Sequence, residues 1–291
     1  MDVQKHILYL YAETPMHVGT GVGLGAVDMP IQREKHTGYP IIQASGIKGA
    51  LRDTAQLKLG DSDVMKSIFG SDAENREITH ASAMSPSDAR ILLFPVRALN
   101  GVFVWITSST VLARFKQETE LNNVPDVPEI NQGDLAQVSS ENLINAGQIM
   151  LEEYTYSSQV TNEATEWANY LATNAFPDAD NYWHKRIKSH FAILPDNEFR
   201  DFVRYSTEIV TRIHIDDVKK TVKDGQLFTQ ELLPADSLLY SFIHVTDSRD
   251  EKIKAENIVG GLQDAMGNRL QIGGDETVGR GRVRLNWQEV K

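Results

Sequence analysis

Asn100-Gly101 lies between two apolar runs, Ile91 to Val96 and Val102 to Thr107. Both turn residues tolerate left-handed backbone, so the pair predicts a tight reversal joining two adjacent antiparallel strands. Further strands are predicted where apolar residues run or alternate, at His6 to Ala12, Pro40 to Ile42 and Leu238 to Val245. Between them the period changes. Ile47, Ala50, Leu51 and Leu57 predict a helix over 45–58 with Ser45 as its N-cap, followed by a short helix over 63–69 ending at Gly70. Another helix is predicted to start at Asp196, with Phe199, Phe202 and Val203 on one face. Strands and helices interleave without an internal repeat, which places the chain in the α+β class.

Ile209, Thr211, Ile213 and Ile215 alternate, and Leu227 to Leu232 returns, so 207–236 is predicted to hold a second hairpin turning at Asp224-Gly225. Asparagine, proline and aspartate crowd 121–138 and mark a loop or domain edge. Residues 116–190 are expected to form an acidic helical insertion, with helices near 141–152 and 163–174, inside a chain that otherwise makes one domain.

The net charge of −11 argues at face value against a nucleic-acid partner. The distribution changes that. Residues 116–181 hold twelve acids and one base, leaving 28 bases and 28 acids for the rest, which is neutral. Only 116–181 is thereby excluded from a phosphate backbone. Cysteine is absent, which removes disulfides and thiolate chemistry. No apolar stretch has the length of a signal peptide or membrane span, so no membrane is expected and the location is expected to be cytoplasmic.

Two glycine-rich loops invite a nucleotide-enzyme reading, and both depart from the required spacing. Gly19, Gly21, Gly23 and Gly25 alternate and do not open into a helix. Gly274 and Gly279 have P-loop spacing, but Arg280-Gly281 stands where lysine and a hydroxyl residue belong. What the loops supply is backbone that approaches a ligand closely, with Arg280, Arg282 and Arg284 as phosphate contacts; a mobile loop and solvated arginines fit the same residues. Ser45-Gly46-Ile47-Lys48-Gly49 places an unobstructed helix start beside Lys48, with Arg52 one turn on. That suits an anion or, equally, an ordinary capped helix.

Taken as one constellation, TPMHVGTGVGLGAVDMPIQREKHTGYPIIQASGIKGALR resembles the N-terminal signature of the RAMP superfamily, the RNA-binding proteins of CRISPR systems. VDMPIQRE, TRIHIDDVKKTVKDGQLFTQELLP and IGGDETVGRGRV are similar to the backbone subunit of Cmr-type (type III-B) effector complexes. The resemblance implies an RRM-like (ferredoxin-like) core, with the hairpin acting as a thumb. It also implies stacking of copies into a filament along a guide CRISPR RNA, with other Cmr subunits and a target RNA as partners. Gly19, Gly21, Ser45, Gly46, Lys48, Arg52, Gly274, Arg280 and Arg282 would then grip RNA, with Lys219 and Lys220 near the hairpin turn reaching target or neighbour. Asp28 falls on the loop carboxylate that, with Mg2+ or Mn2+, cuts target RNA by attack of its 2′-OH. One carboxylate with phosphate oxygens and waters is chemically enough for such a hard cation. His17 and Glu231 match positions near the cut and are further catalytic candidates. Otherwise Asp28 is a turn residue before Met29-Pro30, His17 a structural histidine and Glu231 an ion-pairing carboxylate. A non-catalytic RNA scaffold and a metal-independent repeat-processing nuclease remain open alternatives.

Overall fold

The computed structural model describes residues 3–23, 25–60, 63–70, 81–121, 123–133, 135–177, 181–216, 219–249 and 253–290, the side chains of 214 and 223–226 excepted. Strand β1 (Val3–Ala12) leads through a long loop to β2 (Ile41–Ile42), α1 (Ala44–Leu59) and α2 (Asp63–Phe69). Then come β3 (Met84–Pro86), β4 (Ala89–Ala98), β5 (Val102–Ser108) and α3 (Ser109–Thr119). The middle of the chain supplies β6 (Ala136–Val138), β7 (Gln148–Leu151), β8 (Tyr154–Val160), α4 (Asn162–Ala175) and α5 (Tyr182–Ile187). It continues with β9 (Phe191–Leu194), α6 (Asp196–Tyr205), β10 (Glu208–Ile215), β11 (Val222–Leu232), β12 (Leu238–Thr246), α7 (Ala255–Met266), β13 (Arg269–Gln271) and β14 (Arg282–Val290).

Twelve of these strands form one sheet, ordered β13-β14-β1-β12-β4-β5-β9-β6-β8-β7, with β2 on β4 and β3 on β12. β7 closes back onto β4 through Ala98 and Leu151. β1 is the axis of its half, antiparallel to β12 (Tyr9 opposite Tyr240) and to β14 (Leu8 opposite Trp287). From His6 to Ala12 it is buried without alternation, as befits a strand covered on both faces. Helix α7 packs on β1 and β12. Against Tyr9 lies Phe115, which sits edge-on to Tyr240 at 5.0 Å and to Trp167 at 6.2 Å. Trp105 is fully buried and donates its indole N–H to the Asp236 carbonyl at 2.8 Å.

The β4–β5 hairpin, the helix over 63–69, β12 and the apolar face of α6 fall where the sequence predicts them. Three expectations are corrected. Ser45 lies inside α1: the N-cap is Gln43, and Asp88 accepts the Ala44 N–H at 2.8 Å. Pairing of Ile41 with Arg90 and Ile42 with Ala89 brings that carboxylate to the helix start. The helix expected over 141–152 is one 3-10 turn, Glu141–Leu143, followed by β7, whose burial alternates with period two. The second hairpin reverses between Ile215 and Val222, which pair with each other, and not at Asp224-Gly225, which lie within β11. Asp216 organises this reversal, its side chain accepting the Lys219 N–H and its carbonyl the Lys220 N–H, with Lys220 at φ 53°. Residues 116–190 are also less separate than expected, because β6 pairs with β9 and β7 with β4 inside the common sheet.

β10 and β11 form a two-stranded sheet apart from the main one. Ile209, Ile213, Ile215, Val222 and Leu227 are exposed along it, whereas Gln230 to Leu233 at its root are buried. The candidate site is built on that root.

Candidate functional site

The glycine-rich segment after β1 folds back on itself and is then laid along β11. Gly19 bridges Ile31, the Thr20 N–H donates to Pro30 O, and the Gly23 N–H donates to Asp28 O at 2.7 Å. Met29 runs parallel to Gln230, giving its N–H to Thr229 O and accepting the Glu231 N–H, both at 3.0 Å. Asp28 is thereby fixed at the last exposed position before the chain enters the root. Its Oδ2 accepts the Thr229 N–H at 2.7 Å and the Thr229 hydroxyl at 2.8 Å. The residue itself is exposed to solvent. The Thr229 amide first, and its hydroxyl second, hold the Asp28 carboxyl below the usual aspartate range, so the group is ionised.

Two positions further along β11, Glu231 is 5% exposed and fully engaged. Its Oε1 accepts from Arg33 at 2.5 Å and Thr207 at 2.8 Å, and its Oε2 accepts the Ile31 N–H at 3.0 Å. Arg33 also donates to Gly38 O and Val203 O, tying the root to α6. These contacts give Glu231 a scaffold: it orients the stretch that carries Asp28.

His17 is 6% exposed, with Nδ1 2.8 Å from Glu231 O. A carbonyl can only accept, so Nδ1 is the donor of this pair, and Nε2 is the ring nitrogen left for another partner. A Cβ on Gly19 would stand 2.5 Å from that Nε2, and one on Gly273 would stand 2.4 Å from the His17 carbonyl. Two of the glycines thus make room for a histidine. The histidine and aspartate anchors, Glu231 O and Thr229, are two residues apart on one strand, about 7 Å along it.

The C-terminal glycine-rich loop completes the root. The Gly274 N–H donates to His17 O at 2.9 Å, and Asp275 accepts from Gln230 at 2.7 Å. Beyond it the cations gather. Glu13 is ringed by Arg269, Arg282 and Arg284 at 2.9 to 3.0 Å. Burial opposes its ionisation, but hydrogen bonds from Arg269 and Arg284 outweigh that and hold its carboxyl low. One carboxylate among three guanidinium groups leaves an excess of positive charge. Arg269, Arg280 and Arg282 line an open groove of about 510 Å³ between this loop and α1. On α1, burial and the neighbouring Arg52 lower the Lys48 pKa, as two cations one helical turn apart require. The amides of Ala44, Gly46 and Ile47 already have acceptors, so charge at this helix start rests on the side chains. Gly21 is exposed at φ 91°, and Lys219 and Lys220 are exposed at the hairpin tip, far along β10–β11 from the root.

The sequence matches the RAMP superfamily over residues 9–284. The chain belongs to the RAMP superfamily. This RAMP protein is 38% identical over 296 residues to the CRISPR system Cmr endoribonuclease Cmr4 of Pyrococcus furiosus, covering 99% of this chain and 97% of that protein. It is 28% identical over 302 residues to the CRISPR system CMR subunit Cmr4 of Saccharolobus solfataricus, covering 96% and 95%. Its structure superposes on crystalline oligomeric Cmr4 from P. furiosus with a TM-score of 0.73, at 33% identity and 99% of both chains.

Within this RAMP chain, His17, Asp28, Glu231 and Gly274 converge on the root, whereas Lys48 and Arg52 stand on α1 and Lys219 and Lys220 on the hairpin tip. Thr229, Arg33 and Asp275 lie inside the motif blocks that carry the resemblance, but the sequence does not single them out within those blocks. Among the described residues no three metal-binding side chains cluster, and no helix is long and apolar enough to cross a membrane.

Proposed function

We propose that this RAMP protein is a guide-RNA-binding filament subunit of a type III-B effector complex, working in the cytoplasm, and that it cuts complementary target RNA beside Asp28. The observation that carries the cutting role is the Asp28 carboxylate: exposed, ionised, and fixed through Oδ2 by the Thr229 amide and hydroxyl. A lone carboxylate suits a weakly held Mg2+ or Mn2+ completed by RNA oxygens, which when bound would neutralise charge on the scissile phosphate. The chain's own residues do the rest. Thr229 fixes the carboxylate, Glu231 fixes the segment behind it, and His17 is held through Nδ1 on the same root. Arg280, Arg282, Lys48 and Arg52 supply the positive field that a neutral remainder of the chain needs for a polyanion.

The test is assembled complex with guide, complementary RNA and Mg2+, comparing the native chain with Asp28→Asn. Loss of cutting with target binding intact supports the reading. Unchanged cutting overturns it, leaving the scaffold alternative, and cutting that survives EDTA points to metal-independent chemistry.

A further inference from the structure

Away from the root, α6 and β8 enclose a pocket of about 220 Å³ that the RNA reading does not use. Tyr154, Tyr156, Phe202 and Tyr205 form its walls, and Glu198 and Asp201 close its polar side. Phe202 is buried, and Tyr154 and Tyr156 stand edge-on to it at 6.1 and 6.2 Å. Tyr154 is 60% exposed and Tyr205 74%, so the mouth is open and aromatic. Of the two carboxylates, Asp201 already accepts from Arg200, and Glu198 turns its Oε2 away from the cavity into the protein, so the pair gives the pocket negative charge. Burial, then Glu198 and Asp201, push the Tyr156 hydroxyl up to about 12, so the interior disfavours any added negative charge.

We infer that this pocket receives an arginine side chain from a protein segment that docks across α6 and β8. The chemistry selects that occupant over others. A guanidinium is planar, stacks on tyrosine faces and carries its positive charge toward Glu198 and Asp201. Ammonium has the charge but no stacking plane. A nucleobase has the plane, but its phosphate would face Glu198, Asp201 and the strongly acidic 116–181 segment that contributes both wall tyrosines of β8. The two arginines nearby do not fill it. Arg200 is held by Asp201 at 2.9 Å and by Asn197, and Arg204 lies over Tyr205 at 5.6 Å from its ring; neither lines the cavity. Arg204 does show that the Tyr205 face accepts a guanidinium. The pocket also adjoins the hairpin, since Tyr205 is followed within two residues by Thr207, a donor to Glu231.

The experiment titrates the full-length chain, carrying 13C-labelled tyrosine rings, with a capped Gly-Arg-Gly peptide, its citrulline counterpart and an oligouridylate. The arginine peptide is expected to shift the Tyr154, Tyr156 and Tyr205 resonances, and the neutral citrulline peptide is not. Glu198→Gln and Tyr205→Ala should each weaken the arginine peptide about ten-fold. Tyr205 is exposed enough that its truncation leaves the fold intact, which the unshifted resonances of the buried Tyr9 and Tyr240 verify. Three results overturn the inference: equal shifts with citrulline, displacement of the peptide by oligouridylate, or no shift at saturating peptide.

Discussion

The Asp28 carboxylate hangs from Thr229, whose amide and hydroxyl both bond to Oδ2, at 2.7 and 2.8 Å, across 201 residues of chain. Thr229 Oγ1 in turn accepts the Asp28 N–H at 3.0 Å, so the two residues close a small ring that sets both the position and the ionisation of the carboxylate.

Thr229→Val keeps the amide bond and removes the hydroxyl. Since the Thr229 contacts depress the Asp28 pKa, the ionised form is complete above the ordinary aspartate value and is lost as pH falls through the lowered one. The variant should therefore move the acid limb of single-turnover cleavage to higher pH, with guide binding unchanged. Thr229→Ser should restore the native limb. An identical limb in the valine variant would show that the hydroxyl does not tune the carboxylate.

Glu231→Ala should destabilise the fold strongly. It leaves Arg33 without its partner inside the root and strips the Ile31 N–H and the Thr207 hydroxyl of their acceptor. Removing one member of a buried ion pair costs about 3 kcal/mol or more. Denaturant unfolding measures it, and a loss below about 1 kcal/mol would mean that water satisfies the site.

Gly273→Ala and Gly21→Ala share a left-handed backbone, at φ 88° and 91°, but not their surroundings. At Gly21 nothing lies within 4 Å of an added Cβ, whereas at Gly273 the His17 carbonyl is 2.4 Å away. The first should cost only the conformational penalty of about 1–2 kcal/mol. The second should cost clearly more and lower cleavage with it, as melting temperatures and rates on the same samples will show.

Acid should loosen the molecule through Glu13 and Glu34. For both, burial opposes ionisation, but hydrogen bonds prevail, from Arg269 and Arg284 at Glu13 and from Thr37 and then Arg114 at Glu34, and place the folded pKa below the ordinary 4.5. Their stabilisation is present above that value and is lost as pH falls through the lowered pKa. Glu34 combines Arg114, Arg90 and Thr37, so Glu34→Gln should flatten the acid arm of the stability profile. A profile unchanged by Glu34→Gln would assign the acid arm elsewhere.

The arginine groove should be visible in salt. Replacing Arg280 by alanine is expected to weaken guide RNA across all sequences and to reduce the slope of log affinity against log salt by about 0.7. Loss of affinity without a change in slope would place Arg280 away from phosphate.

Much of the fold is legible locally. The Asn100-Gly101 turn, the 3.6-residue spacing of Phe199, Phe202 and Val203, and the apolar run of β12 each report their own element. What escapes is decided at a distance. β6, β7 and β9 are three or four residues long and are strands only because neighbours complete the ladder. Asp224-Gly225 has turn chemistry, yet the Asp216 side chain wins the reversal eight residues earlier. The candidate site divides the same way. Asp28 and His17 stand out through the motif around them; Thr229 and Arg33 lie in motif blocks too, but they act on partners about 200 residues away, and the blocks do not say which.

The root also has a history in time. His17 meets Glu231 across 214 residues, and its carbonyl meets Gly274 still nearer the C-terminus. Contacts so far apart carry the closure entropy of all the chain between them. A chain emerging from the ribosome has made Asp28 long before Thr229 exists to hold it. A nascent or truncated chain that stops short of Thr229 therefore carries the residue without the site.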